Sequence, residues 1–309
     1  MTDRVAECLE CWNDGAAKAA IVDFVERVTR EGGPDFGPPP RRIPVFVNDG
    51  PLWCGYPMQV QVFFALAQVE RLTRLDPALL EKPAFKAMVE GDLKTLSSLP
   101  KKEVFEPAFA THAGMTVDEF RDTARQWLDE ARHPTLPQLF EQGAYLPQCE
   151  LLTYLRVNGF KTYIVTGGGL EFVRVVADEL YGIPPEQVIG SSTRMKVEAV
   201  DGHPVLRKLP ELGSFDDREE KVVNIALHIG RRPILAFGNS DGDLAMLRYT
   251  LAGPGARLGL LLHHDDAQRE FAYDREFKLS ALRDALDHAG DYGITVVSMT
   301  NDWREVFAQ

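Results

Sequence analysis

Cysteine is scarce in this chain, four residues among 309, and its one suggestive pair, Cys8 and Cys11 in a Cys-x-x-Cys spacing, has no second pair or histidine pair at zinc-finger distance. The two are expected to be reduced thiols on one helical segment. Long apolar runs are missing as well: nothing approaches the roughly 20 residues that a bilayer-spanning helix needs. Met1-Thr2-Asp3-Arg4 leads into a mixed helix rather than a basic region followed by a hydrophobic one. A cytoplasmic protein without membrane contact is the expectation. Basic residues are outnumbered, 34 Lys and Arg against 46 Asp and Glu, for a formal charge of -12. Such a field works against nucleic acid and anionic membranes as partners, so a small anionic ligand has to be held by a local trap. There is no internal repeat and no low-complexity tract, and nothing in the sequence specifies an oligomeric state.

What is present is an apolar content of 45%, enough for a globular core in one large domain or in a core plus an inserted module. Ala16 to Arg30 repeats apolar side chains at helical spacing and stops at Gly32-Gly33-Pro34. A Pro38 to Pro40 connector delivers a short apolar strand, Ile43 to Val47. From Gln59 to Glu150 the pattern is helical, clearest at Val60 to Leu75, Lys82 to Gly91 and, after a Thr116 cap, Val117 to Arg132. Beyond Leu151, strands and helices alternate: strand Phe160 to Thr166, helix Leu170 to Tyr181, strand Val188-Ile189, and a hairpin over Thr193 to Lys208 turning at Asp201-Gly202. Helix Asp217 to Ile229, strands Pro233 to Phe237 and Arg257 to His263, helix Leu279 to Ala289 and strand Ile294 to Ser298 complete the series. This rhythm predicts an α/β fold, a doubly wound, Rossmann-like parallel sheet with helices on both faces, interrupted after its first strand by a helical insertion. Ligands of such sheets sit beyond the carboxyl ends of the strands, which makes every loop that follows a strand a candidate site.

Four such places hold chemistry. Thr166-Gly167-Gly168-Gly169 offers a hydroxyl and main-chain amides that a phosphate can approach closely, although a tight strand-to-helix turn also wants glycine. Lys221 opens a helix, where an ammonium is usually solvated. The loop Gly238 to Asp243 packs Asn239, Asp241 and Asp243 together, which suits a hard cation such as magnesium or an Asx-rich turn capping the next helix. His263-His264-Asp265-Asp266 follows an apolar strand, and because neighbours on a strand point to opposite faces, at most one of the two histidines faces a site.

In order along the chain, these segments resemble the phosphoserine-phosphatase-like branch of the haloacid dehalogenase superfamily. Val45-Phe46-Val47-Asn48-Asp49-Gly50-Pro51-Leu52 is similar to its first motif, Asp-x-Asp-Gly-Thr-Leu, Ile164 to Gly168 to its second, Lys221 to its third, and Gly238 to Leu247 to its fourth. Trp12-Asn13-Asp14-Gly15 and Thr111 to Thr116 extend the likeness over nearly the whole chain. The resemblance implies an α/β core of residues 1–57 and 148–309 with a helical cap domain, a C1-type insertion, at 58–147. It implies Asp49 as the acid that protonates a leaving alcohol and later activates water. Thr166 and the amides of Gly167 and Gly168 would bind the oxygens of the transferring group, and Lys221 would neutralise its charge. Mg2+ would be held by Asn239, Asp243 and the main-chain carbonyl of Asp49, with Asp241 in an outer role. Trp53 and Tyr56 would wall the pocket or pack between domains. Glu171 and Arg174 would select the far end of the substrate or face solvent, and His112 would reach in from the cap or make a helix-terminal contact.

Where the family carries its nucleophilic aspartate, this chain has Val47. An isopropyl group cannot attack phosphorus, ligate a metal or carry charge, so the aspartyl-phosphate route is closed and a magnesium site is left weak or absent. Pro51 replaces a threonine, removing a hydroxyl and an N–H, and Gly55 stands where relatives carry an acid. Asp49, Thr166, Lys221 and Asp243 are all present. The expectation is an enzyme of this fold repurposed to act on a phosphorylated or carboxylated small molecule, with Asp49 as general acid or base. The alternative is a catalytically inactive, phosphatase-like protein that binds a ligand or partner, and the third reading is residual magnesium-dependent hydrolysis by direct attack of water.

Overall fold

The computed structural model describes residues 9–99, 107, 110–277 and 279–308, so Met1 to Cys8 lie outside the described residues. Cys11 is a free, buried thiol in a turn rather than on a helix, its amide donating to Glu150. The chain divides into two compact units: Met1–Tyr56, Glu141–Gly190 and Asp216–Gln309 form the first, Pro57–Phe140 and Ser191–Phe215 the second. Against the cap expected at 58–147, the second unit's first segment ends at Phe140, with 141–147 in the first unit, and the second unit also includes the hairpin residues Ser191–Phe215, which the expectation places in the core.

The strands are β1 (Pro44–Phe46), β2 (Tyr163–Gly169), β3 (Val188–Val200), β4 (His203–Ser214), β5 (Leu235–Gly238), β6 (Leu258–Asp265), β7 (Ala272–Tyr273) and β8 (Thr295–Ser298). In the first unit the sheet runs from the start of β3 (188–190) through β2, β1, β5 and β6, with β8 also on β6. β1 is parallel to β2 and β5, β5 to β6 and β6 to β8, while the short β7 adds antiparallel to β6. β1 and β5 are buried throughout, as strands covered by helices on both faces must be. Helices Ala16–Thr29, Leu146–Val157, Leu170–Tyr181, Glu219–His228 and Leu244–Leu251 supply the cover, and the sheet is the doubly wound α/β arrangement that the alternating pattern predicts.

Two elements differ from expectation. The glycines after Thr166 belong to the strand: β2 continues to Gly169, whose backbone is extended, and the helix begins only at Leu170. Glycine on both sides explains this, since a Cβ at Gly190 would lie 2.8 Å from Gly168 O and 2.9 Å from Thr166 Cγ2. The helix expected over Leu279 to Ala289 shrinks to Asp284–Asp287. The backbone groups that would extend it are spent elsewhere: Ala281 O accepts from Asp241 N and Leu282 N donates to Asp274 O.

The second unit carries the helices Val60–Leu75, Pro83–Glu90, Leu93–Ser98 and Val117–Leu128. Thr116 caps the last of these through a reciprocal pairing with Glu119. The hairpin β3–β4 turns at Asp201 (φ +50°) and Gly202 (φ +80°), the two left-handed residues that a two-residue turn of twisted strands requires. Among the described residues no helix is long and apolar enough to cross a membrane.

Gly190→Ala should lower stability by about 1–3 kcal/mol, because the methyl meets main-chain atoms that cannot move singly. Urea unfolding checks this; an unchanged midpoint would mean that the glycines of β2 and β3 are not in forced contact.

Candidate active site at the carboxyl edge of the sheet

Pairing on β1 runs one residue past its end, with Val47 N donating to Phe237 O at 3.0 Å. The Val47 side chain is buried in the apolar cluster with Val45, Val165 and Ala236. The chain then folds back tightly: Leu52 N and Trp53 N both donate to Asn48 O, and Gly50 N donates to Trp53 O. Gly50 has φ +95°, and a Cβ there would lie 2.0 Å from Asn239 Nδ2, so only glycine lets the Asn239 side chain lie against the Asp49–Gly50 peptide.

The far end of this loop is anchored on a buried carboxylate. Cys54 Sγ donates to Glu270 Oε1 at 3.1 Å and Tyr145 OH to the same oxygen at 2.8 Å. His264 Nδ1 lies 3.2 Å from Oε2, which also accepts from Phe271 N. Of the histidine pair noted in the sequence, His264 therefore serves Glu270, while His263 lies 3.4 Å from Asp274. Tyr56 packs against Phe271 and Tyr273. Trp53 is buried and stacks on Phe172, a core contact rather than an open pocket wall.

Lys221 enters from the first turn of Glu219–His228 and is only 2% exposed. Its Nζ donates to Val165 O at 3.1 Å and lies 3.6 Å from Asp243 Oδ1. Arg218, just before that helix, takes a left-handed φ of +53° and donates its N–H to Gly242 O, a strained joint that ties Lys221 to the loop after β5. Asp243 is fixed in turn: its Oδ2 accepts from Asn239 N, Ser240 N and Ser240 Oγ, all at 3.0 Å. Thr166 is buried and its Oγ1 accepts from Gly168 N at 3.1 Å, so the hydroxyl and amide expected to cradle an anion bond to each other.

Asp216 is a site residue that the sequence reading does not single out. It is fully buried, accepts from Asn224 Nδ2 at 2.8 Å and feels the charges of Lys221 and Asp243. Its place just before the helix that bears both Lys221 and Asn224 was the available signal. Burial raises its pKa, opposed by Lys221 and Asn224. Asp49 is half-buried, and desolvation pushes it up to about 6 against a hydrogen bond with Asn48 and the Lys221 charge.

Other expected residues lie elsewhere. Asp241 Oδ1 accepts from Arg283 N and Ala285 N, capping the short helix instead of facing Asp243. Glu171 pairs with Arg174 at 3.2 Å, and Arg174 also donates to Pro185 O and Val188 O, a brace within the core. His112 belongs to the second unit, buried on Phe120 beside Lys208, and burial followed by the Lys208 charge lowers its pKa to about 3.

Magnesium needs near-octahedral oxygen ligands. Here one oxygen of Asp243 is saturated by three donors and the other faces an ammonium, Asp241 is turned away, and Val47 offers no donor. Among the described residues no group of three His, Cys, Asp or Glu is placed to hold a metal. This donor set does not fit the ion.

A parallel sheet with its polar loops gathered at one edge is a doubly wound α/β core, and the chain belongs to the haloacid dehalogenase-like hydrolase family, whose model matches residues 47–248. Among solved structures it is similar to a conserved protein of unknown function from Anaerococcus prevotii, at 16% identity and a TM-score of 0.53 over 81% of this chain and 86% of that one. A protein of unknown function from Bordetella pertussis matches at 15% identity and a TM-score of 0.53, over 83% of this chain and 98% of that one. At such identities the likeness concerns the fold alone. No curated protein matches the chain significantly.

Because the folded-state pKa of Asp49, about 6, lies above its ordinary 3.8, the folded protein loses stability as pH rises through that window. Asp49→Asn should therefore be more stable than the parent above pH about 6, by about 1–2 kcal/mol after discounting for partial exposure, with the gap closing below about pH 4. Urea unfolding at the two pH values decides; a gap that does not change with pH would show that Asp49 is not raised.

Proposed function

We propose that this chain has left aspartyl-phosphate chemistry and acts on a phosphorylated or carboxylated small molecule by acid–base catalysis through Asp49. The observation that carries the proposal is the buried Lys221–Asp243 pair, whose ammonium donates to the carbonyl of Val165, a member of the same apolar cluster as Val47. Two charges taken out of water are costly unless something uses or balances them, and the Lys221 ammonium is the buried cation of this edge among the described residues.

Charge balance sets the conditions. With Asp49 and Asp216 protonated, the cluster they form with Lys221 and Asp243 is neutral; with both ionised it repels an anion. Anion binding in this reading takes up protons and strengthens as pH falls through about 6. Thr166 and the amides of Gly167 and Gly168 receive the anion's oxygens once the Thr166–Gly168 bond opens, Lys221 takes its charge, and Asp49 moves a proton to or from the reacting oxygen. Asn239 and Asp243 hold the loop and Lys221 in place rather than a magnesium ion. Trp53, Glu171 and Arg174 are frame.

A second reading, ligand binding without turnover, is favoured by the self-bonded cradle and by the saturated Asp243 Oδ2. A metabolite screen for turnover separates the two. If Asp49 acts as base, the rate falls as pH drops through about 6; if as acid, it falls as pH rises through about 6, and in either case Asp49→Asn abolishes it. Full retention of native turnover in that variant would remove Asp49 from the mechanism, and ligand-induced thermal shifts without any turnover would establish the binding reading.

Val47→Asp should create magnesium-dependent hydrolysis of an aryl phosphate, and a magnesium-induced thermal shift, where the natural protein shows neither. Hydrolysis and a magnesium shift in the natural protein would contradict the proposal.

A further inference from the structure

The opposite edge of the same sheet concentrates positive charge. Arg41 stands three residues before β1, Arg231 and Arg232 shortly before β5, and Arg257 directly before β6. These strands are parallel neighbours, and their starts are bonded in register, Ile234 N to Ile43 O and Leu258 N to Ile234 O. The four arginines therefore emerge at the amino ends, away from the loops of Asp49 and Asn239. Together with Ile234 they line one cavity of about 240 Å³.

Two of the four are pinned. Arg257 donates to Pro254 O and to Pro233 O at 2.7 Å. Arg232 donates to Tyr249 O and lies over the Tyr249 ring, 3.9 Å from its centre. They converge on Gly253, where a Cβ would meet side-chain atoms of both at 2.7 Å. Capping of carbonyls accounts for this pair but not for Arg41 and Arg231, which are exposed and make no side-chain hydrogen bond or ion pair among the described residues. Nor does a described carboxylate pair with any of the four; Asp35, on the adjoining cavity, is already held by Arg27 at 2.8 Å. Burial, followed by the Arg232 charge, lowers the pKa of Arg257, as unbalanced neighbours do. In a chain of charge -12 this is a local anion trap.

The adjoining cavity, of about 300 Å³, shares Arg41, Ile234 and Arg257 with the first and continues along Val28, Phe36 and Ala256. An arginine cluster selects phosphate oxygens through bidentate hydrogen bonds, and the first cavity falls below the range of about 300–1,000 Å³ typical of drug-sized ligands. A polyphosphate chain suits it, with an apolar body lying beyond. We propose that this edge is a second ligand site for a nucleoside di- or triphosphate, its phosphates on the four arginines and its nucleoside along the apolar cavity. The site uses no residue of the Asp49 edge and stands apart from the reading given there.

Calorimetric titration of the full chain at low ionic strength, without magnesium, tests it with adenosine triphosphate, inorganic tripolyphosphate and adenosine. The triphosphate should bind, tripolyphosphate should bind about tenfold more weakly, and adenosine should give no heat. Arg41→Glu with Arg231→Glu, both exposed, should keep the melting temperature and lose at least about tenfold in triphosphate affinity, whereas Lys221→Met should leave that affinity unchanged. No binding, an unchanged affinity in the double variant, a loss confined to Lys221→Met, or tripolyphosphate binding as tightly as the nucleotide would each overturn the proposal.

Discussion

A buried ammonium is the constraint on which the carboxyl edge of this protein is built. Lys221 is nearly inaccessible to water, and its position is tolerable only because Val165 O accepts from it and Asp243 faces it at 3.6 Å. Asp243 can serve because two amides and a hydroxyl of its own loop hold its second oxygen. Asp49 and Asp216 lie within the field of the same charge, and burial pushes both toward their protonated forms. The edge is thus balanced by protons and one lysine, and Val47 adds bulk but no charge.

The Asp49 loop is held at both ends. Its start is clamped where Gly50 meets the Asn239 side chain, and its exit where Cys54 and Tyr145 share Glu270 with His264. Burial works to raise Glu270, yet the His264 charge and the surrounding donors hold it below the ordinary carboxylate range, as expected of a buried anion with every lone pair in use. Clamping at both ends keeps the Asp49 carboxyl oriented, which acid–base chemistry needs as much as covalent chemistry does. Across the sheet, the amino ends of β1, β5 and β6 carry arginines that no carboxylate among the described residues pairs with. The same parallel topology that gathers acids at one edge gathers bases at the other.

Much of the architecture was legible because local rules and packing agree. Val60–Leu75 follows its apolar period, Thr116 its capping box, and Asp201-Gly202 a turn chemistry favoured for joining two twisted strands in two residues. What was not legible depends on partners distant in sequence. Gly167 to Gly169 read as a helix opening because nothing local announces Gly190 across from them, and Leu279 to Ala289 read as a helix because Asp241 and Asp274, which claim its backbone, lie outside the segment. Within the site, Lys221, Thr166, Asp49, Asn239 and Asp243 could be named from motif order, and the structure gathers them around one edge. Asp216 escaped notice because an acidic pair before a helix usually means a cap. For Trp53, Arg174 and Asp241 the sequence leaves a pocket role and a structural one open; the contacts they make are a stack on Phe172, a bond to Pro185 O and acceptance from Arg283 N, which only side-chain direction reveals.

Acid–base chemistry without a phosphorylated protein is the core of this account. Intact-mass spectrometry after incubation with acetyl phosphate and magnesium and an acid quench measures it most directly. The unmodified mass is the predicted result; a stoichiometric phosphoryl adduct mapping to Asp49 or another carboxylate of this edge would contradict it.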